Sequence, residues 1–153
     1  MARLILDPEH PVRRGERGFT MESWMELSPF EQLLGMRIVE ASEGEALLEM
    51  PFTLKLSQGL GLLHGGALTS LADTAVALAI KSLLPEGTRF ATIELNTSFL
   101  APVFEGIVTA RARTSKEPGR RFRGRVELRL ADGSLVAQFE SLFKVAAKQG
   151  FDW

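Results

Sequence analysis

Asp73 lies within an otherwise apolar run, Leu71-Ala72-Asp73-Thr74-Ala75-Val76-Ala77-Leu78-Ala79-Ile80. A carboxylate in such a setting is costly unless it is hydrogen-bonded, protonated or working. Eight residues earlier stands Gly65, inside His64-Gly65-Gly66. A Gly-Gly pair opening a helix exposes backbone N–H groups that no intrahelical carbonyl satisfies, and the partial positive charge there favours an anion or a polarised carbonyl oxygen. A plain tight turn accounts for the two glycines equally well. Asp73 has its own structural alternative, a carboxylate satisfied one turn back by Thr69 or Ser70. His64 reads first as a hydrogen-bonded brace of the loop and second as a general acid or base. Gln58 in the preceding loop and Thr92 on the strand after the helix are further polar candidates.

Spacing constrains how these groups act together. Eight helical residues at 1.5 Å rise put Gly65 and Asp73 about 12 Å apart, too far for both to reach one reacting carbon. If both serve one substrate, they come from different copies of the chain. The expected functional unit is therefore an obligate homodimer with two shared sites.

The elements that must hold these groups follow from the patterning. Residues 1–19 contain Pro8, Pro11, Gly15 and Gly18 without periodicity and read as an extended or mobile arm. Residues 21–27 suit a short helix. Ser28-Pro29-Phe30-Glu31 places an N-cap serine, a first-turn proline and a capping glutamate, with Gly35 as the stop. Residues 36–41 and 45–52 read as two strands around Ser42-Glu43-Gly44. The helix that starts at the Gly-Gly pair is apolar nearly all round, hence buried, and is expected to end near Leu84. Only strands follow, at 88–100, 106–114, 121–130 and 135–145, with Asp132-Gly133 as a tight hairpin. Four consecutive strands lack the crossover helices of a parallel sheet. The simplest architecture is α+β: one curved antiparallel sheet wrapped around one long buried helix. The expected domain spans residues 20–148, with an arm at 1–19 and a tail at 149–153 whose Phe151 and Trp153 dock or stay free.

Composition narrows the function classes. The chain has 153 residues, 45% hydrophobic and 24% charged, with no cysteine and two histidines. Thiol nucleophiles, disulfides and cysteine or multi-histidine metal sites are thus excluded, and a reducing cytoplasm is the expected location. Residues 1–6 are too short an apolar run for a signal peptide. No stretch approaches the roughly 20 apolar residues of a membrane span. Seven arginines and Lys116 face two glutamates between Arg111 and Arg129, a net +6 that leaves −7 elsewhere, so an anionic partner would meet this segment. The alternating arginines lack interleaved exposed aromatics, which argues against nucleic acid. There is no serine nucleophile elbow and no P-loop. Gly59-Leu60-Gly61-Leu62-Leu63-His64 lacks the last glycine of a dinucleotide loop.

Leu63-His64-Gly65-Gly66-Ala67-Leu68 followed by Leu71-Ala72-Asp73-Thr74-Ala75 resembles the hotdog-fold acyl-CoA thioesterases, closest to the phenylacetate-degradation (PaaI-like) type. Leu34-Gly35-Met36, Asn96-Thr97-Ser98-Phe99-Leu100-Ala101-Pro102 and Gly119-Arg120-Arg121 support it, and the likeness covers residues 28–146. The resemblance implies a hotdog fold and hydrolysis of an acyl-CoA thioester, with no cofactor beyond the coenzyme A of the substrate and no metal. It implies that the Gly65 N–H, with Gly66 beside it, polarises the thioester carbonyl. Asp73 of the partner subunit would be general base or nucleophile. Gln58, six residues before the histidine, where Asn is frequent, and Thr92 would place water or carbonyl, with His64 in the same motif. Lys116, Arg120 and Arg121 would meet the coenzyme A phosphates, and dimers would pair into a tetramer. The competing classes are a hotdog hydratase acting on enoyl or hydroxyacyl thioesters, and a non-catalytic acyl-CoA-binding module.

Overall fold

A computed structural model describes residues 1–148. In chain order the elements are β1 (Arg3–Leu4), β2 (Phe19–Thr20), α1 (Pro29–Leu33), β3 (Arg37–Ser42), β4 (Glu45–Pro51), a 3-10 turn (Leu54–Leu56), α2 (Gly65–Lys81), β5 (Phe90–Phe99), β6 (Ile107–Glu117), β7 (Arg121–Arg129) and β8 (Leu135–Val145). Six strands form one antiparallel sheet in the order β3-β4-β6-β7-β8-β5. It wraps α2, giving the α+β hotdog arrangement that the resemblance implies.

Alternation decides which face of each strand meets the helix. Ala46, Leu48 and Met50 of β4, Val108, Ala110 and Ala112 of β6, and Phe122, Val126 and Leu128 of β7 are buried, and α2 answers with Leu71, Ala75, Val76, Ala79 and Ile80. Each large aliphatic side chain buried here contributes about 1.5–3 kcal/mol. The helix sits close because β7 has a glycine beneath it. A Cβ on Gly124 would collide with the Val76 side chain from Cβ outward, so no side chain fits without moving the helix. Gly124→Ala should cost at least the 1–3 kcal/mol typical of an overpacked core. Urea unfolding should show a lower midpoint, whereas an unchanged midpoint would mean the helix lies farther from β7.

The β3–β4 turn has positive φ at both central residues, Glu43 (51°) and Gly44 (80°), as two-residue turns matched to sheet twist require. Its Gly44 N–H donates to Ser82 Oγ at 2.9 Å, and Ser82 Oγ donates to the Ala79 carbonyl. That tether explains why α2 ends at Lys81 rather than running on to Leu84.

Two N-terminal expectations change. Residues 21–27 form no helix, because Trp24 is drawn inward: its indole N–H donates to the Lys81 carbonyl at 3.2 Å and its ring meets Phe90 edge-on at 6.5 Å. The Glu26 carboxylate meanwhile accepts from the N–H groups of Glu22 and Ser23 and from the Met1 ammonium. Residues 3–20 fold back on themselves, β1 pairing antiparallel with β2. The Ser28 capping box forms as its spacing predicts. Phe151 and Trp153 lie outside the described residues.

The outer face of the sheet carries the arginines. Arg123 meets Glu117 and Glu140, Arg125 meets Glu140, and Arg129 meets Glu127. Much of the +6 segment is thus neutralised within its own surface. A hollow of 720 Å³ on this face is lined by Arg111, Arg113, Arg123 and Arg125, with Asn96 and Gln138, away from Asp73. Among the described residues no helix is long and apolar enough to cross a membrane.

Candidate active site

The entrance to α2 is held from both sides. The Leu63 N–H donates to the Val103 carbonyl and the His64 N–H to the Leu56 carbonyl. His64 then serves as N-cap, with φ −64° and ψ 131°. Its Nδ1 accepts the Gly66 N–H at 2.8 Å, which is the capping bond usually made by a Ser or Asp oxygen. An accepting Nδ1 places the neutral ring's proton on Nε2. The Gly66 N–H is therefore engaged, while the Gly65 N–H has no acceptor among the described residues. Of the two glycines, Gly65 holds the free donor. A Cβ there would lie 2.9 Å from Phe99 Cζ, so only a glycine leaves this approach open without displacing the ring. Gln58 lies in the loop before the helix. Its Oε1 accepts the Leu60 N–H, and its own N–H donates to the Leu62 carbonyl.

Asp73 lies two turns further along. Both alternative partners turn elsewhere: Thr69 Oγ1 bonds Thr97 Oγ1 at 2.8 Å, and Ser70 Oγ donates to the Gly66 carbonyl at 2.7 Å. The carboxylate instead accepts from Thr92 Oγ1, at 2.9 Å to Oδ1 and 3.2 Å to Oδ2. Thr92 stands just before an irregularity in the β5–β8 register between Thr92 and Glu94, a device that re-aims side chains. Burial pushes the Asp73 carboxyl above its ordinary value. The Thr92 hydroxyl opposes that shift, and the negative charge of Glu31 adds to it.

The helix is not covered all round. Gly66, Thr69, Ser70, Asp73, Ala77 and Lys81 form a partly open stripe, and a groove of 480 Å³ runs beside it. Its walls include Trp24, Phe90 and Phe143, with Asp73, Ala77 and Lys81 along the helix side. Trp24, Phe90, Phe143 and Lys81 were not singled out from sequence. The spacing of Asp73, Ala77 and Lys81 at four-residue steps is the signal that finds one side of the groove; Trp24 carries no such local signal.

Lys116, Arg120 and Arg121 sit in the β6–β7 hairpin. Arg121 Nε donates to the Pro118 carbonyl at 2.9 Å and Arg120 Nε to the Val145 carbonyl at 3.3 Å. Register links the hairpin to the site: Lys116 pairs with Phe122, Phe122 with Phe143, and Phe143 with Thr92. The hairpin thus occupies the Asp73 end of the sheet, three strand spacings from Thr92, or about 14 Å.

Gly65 and Asp73 belong to one unbroken helix, which keeps them about 12 Å apart. Beside them, β5 is a ten-residue edge strand with large apolar side chains exposed: Ile93 (49%), Leu95 (47%) and Phe99 (56%). A long edge of this kind is a template for pairing with another chain.

Residues 60–137 match the family model described as "Thioesterase superfamily". The 1,4-dihydroxy-2-naphthoyl-CoA hydrolase of Listeria monocytogenes is 36% identical over 83 residues, covering 54% of this chain and 67% of that one. The acyl-coenzyme A thioesterase PaaI of Escherichia coli is 38% identical over 73 residues, covering 48% and 50%. The solved structure of E. coli PaaI superposes with a TM-score of 0.72 at 28% identity, covering 80% of this chain and 87% of that one. The structure of protein PA5202 from Pseudomonas aeruginosa gives a TM-score of 0.76 at 28% identity, covering 82% and all of that chain. The chain spans from about half to about three quarters of the length of the curated relatives it matches in sequence.

Proposed function

Because the chain belongs to the thioesterase superfamily, we propose that it hydrolyses acyl-CoA thioesters as a homodimer with two shared sites. One observation carries this reading. A desolvated carboxylate held by a single hydroxyl and a helix N-terminal N–H with no acceptor among the described residues stand too far apart on one helix to act together, and a long strand with an open outer edge lies beside both.

The chemistry follows from those groups. The thioester carbonyl oxygen accepts the Gly65 N–H of one subunit, where the helix terminus stabilises charge that grows on that oxygen. The partner subunit's Asp73, positioned by Thr92, activates water as a general base or attacks the carbonyl carbon itself. In the first route the water oxygen bonds to the acyl carbon and its proton passes to the carboxylate. The carbon–sulfur bond then breaks, and the sulfur leaves to be protonated as free coenzyme A. Gln58 and His64 shape the loop at the oxyanion end. Lys116, Arg120 and Arg121 supply positive charge for the coenzyme A phosphates.

The assay is release of free thiol from a panel of acyl-CoAs, with the products identified. Free acid and coenzyme A from at least one acyl-CoA support the proposal. Hydration or dehydration of the acyl chain without thiol release, or binding alone, would overturn it.

The pH profile offers a second test. The working form of Asp73 is ionised, and burial raises its carboxyl, so the acid limb of kcat/KM should lie above the ordinary carboxylate range. Thr92 stabilises the ionised form; Thr92→Val should shift that limb to higher pH and lower kcat. A limb that stays put would separate Thr92 from the titrating group.

A further inference from the structure

The groove beside Asp73 also holds Lys81, a charged residue that hydrolysis as proposed above does not use. Lys81 lies two helical turns past Asp73, with small Ala77 between them, and both line the groove. Its ammonium stands 4.8 Å from the centre of the Trp24 ring and donates to the Trp24 carbonyl at 3.1 Å. One bond leaves further donor capacity on an ammonium that can make three. Glu31 and Glu26 face it electrostatically, yet among the described residues no carboxylate oxygen comes within 4 Å of it. Both acids are engaged elsewhere: Glu31 accepts the Ser28 N–H at 2.6 Å, and Glu26 accepts the Met1 ammonium and two backbone N–H groups. Arg89 lines the same groove. A lysine in a helix's last turn suits the helix dipole from the surface; that role does not require half-burial under an indole, where desolvation works against the charged form.

We propose that Lys81 is a specificity-determining residue, reading a carboxylate at the far end of the acyl group. The favoured substrates would then be thioesters of dicarboxylic acids rather than of simple fatty acids. The proposal rests on the thioesterase reading and adds the substrate class. The acyl chain runs from the partner subunit's Gly65 past Asp73 and Ala77 between the aromatic walls, and its terminal carboxylate meets the ammonium. Glu31 also lines the groove, but its carboxylate is engaged by the Ser28 N–H; the substrate carboxylate would supply the direct ion pair.

The test compares adipoyl-CoA and suberoyl-CoA with hexanoyl-CoA, octanoyl-CoA and the neutral methyl ester of adipoyl-CoA. Wild-type protein should favour the diacid thioesters in kcat/KM by about tenfold or more, the scale of one charge-assisted hydrogen bond. Lys81→Met should bring that ratio to about one, and Lys81→Arg should keep part of it. A wild-type ratio at or below one overturns the proposal without any variant, as does a Lys81→Met ratio equal to wild type. If the neutral thioesters are cleaved as well as the diacid ones, hydrolysis stands and the Lys81 reading falls. If no thiol is released from any of them, the hydrolysis reading falls and the Lys81 proposal falls with it.

Discussion

Asp73→Asn should fold, keep its dimer and lose turnover by about 10²–10⁴-fold, the range associated with a positioned general base. Asn retains the oxygen that accepts from Thr92 Oγ1 and removes the ionisable group. The loss should appear in kcat for every acyl-CoA the wild type cleaves. Stability should move the other way. Burial raises the Asp73 carboxyl, so the folded state favours its protonated form. What that preference contributes is present at low pH and is lost as pH rises from the unfolded carboxylate value through the raised folded one. At neutral pH the wild type therefore carries a partly buried charge that Asn relieves, and the variant's Tm should equal or exceed the parent's. Activity lost together with a lowered Tm would instead make Asp73 a structural carboxylate. Wild-type turnover in the variant would remove Asp73 from the chemistry.

Mixing two inactive variants should restore activity. Gly65 is the first residue of α2, where proline is tolerated because the helix needs no N–H there. His64 already has the extended backbone that precedes a proline comfortably. Gly65→Pro thus deletes the unengaged donor while respecting the helix, although the ring must displace Phe99 slightly. Loss of one oxyanion donor corresponds to about 10²–10³-fold in kcat. Co-expressed with Asp73→Asn, each mixed dimer would hold one doubly altered site and one site with both native groups. With random pairing the mixture should recover about a quarter of the wild-type rate per chain. Sites built within single chains would recover nothing beyond the parents' residual rates. A mixture as inactive as its parents, with mixed dimers shown to be present, would overturn the shared site.

Much of the candidate site was legible because its logic is local. His64-Gly65-Gly66 announces a helix start within one turn, and Asp73 is conspicuous against its immediate neighbours. The rise per residue alone separates Gly65 from Asp73. Period-two alternation likewise exposed the inward faces of β4 and β7, and the Ser28 capping box is a spacing of three residues. The helix's burial was read too broadly. A run with almost no charge looks covered on all sides, yet small residues at Gly66, Ser70 and Ala77 leave a strip that the other described residues do not fill.

The partner of Asp73 was open on sequence alone, since Thr69 and Ser70 are its helical neighbours and Thr92 lies 19 residues away. Register decided it, because the irregularity after Thr92 turns that hydroxyl toward the helix while Thr69 pairs with Thr97. The same holds for Gly66, whose N–H was a candidate donor until the His64 ring folded over it. Trp24 shows the limit most clearly. Nothing near it in the chain distinguishes a short amphipathic helix from an anchored loop, and its indole finds the Lys81 carbonyl 57 residues on. From sequence alone came the fold class, the buried helix that carries Gly65 and Asp73, and the proposal that one site draws on two copies of it, since each depends on periodicity or rise within a single element. Only the tertiary structure decided which hydroxyl holds Asp73, which glycine keeps a free N–H, and that a tryptophan and a lysine line the groove. Those outcomes turn on contacts between segments far apart in sequence, and sheet register and packing set such contacts rather than local composition.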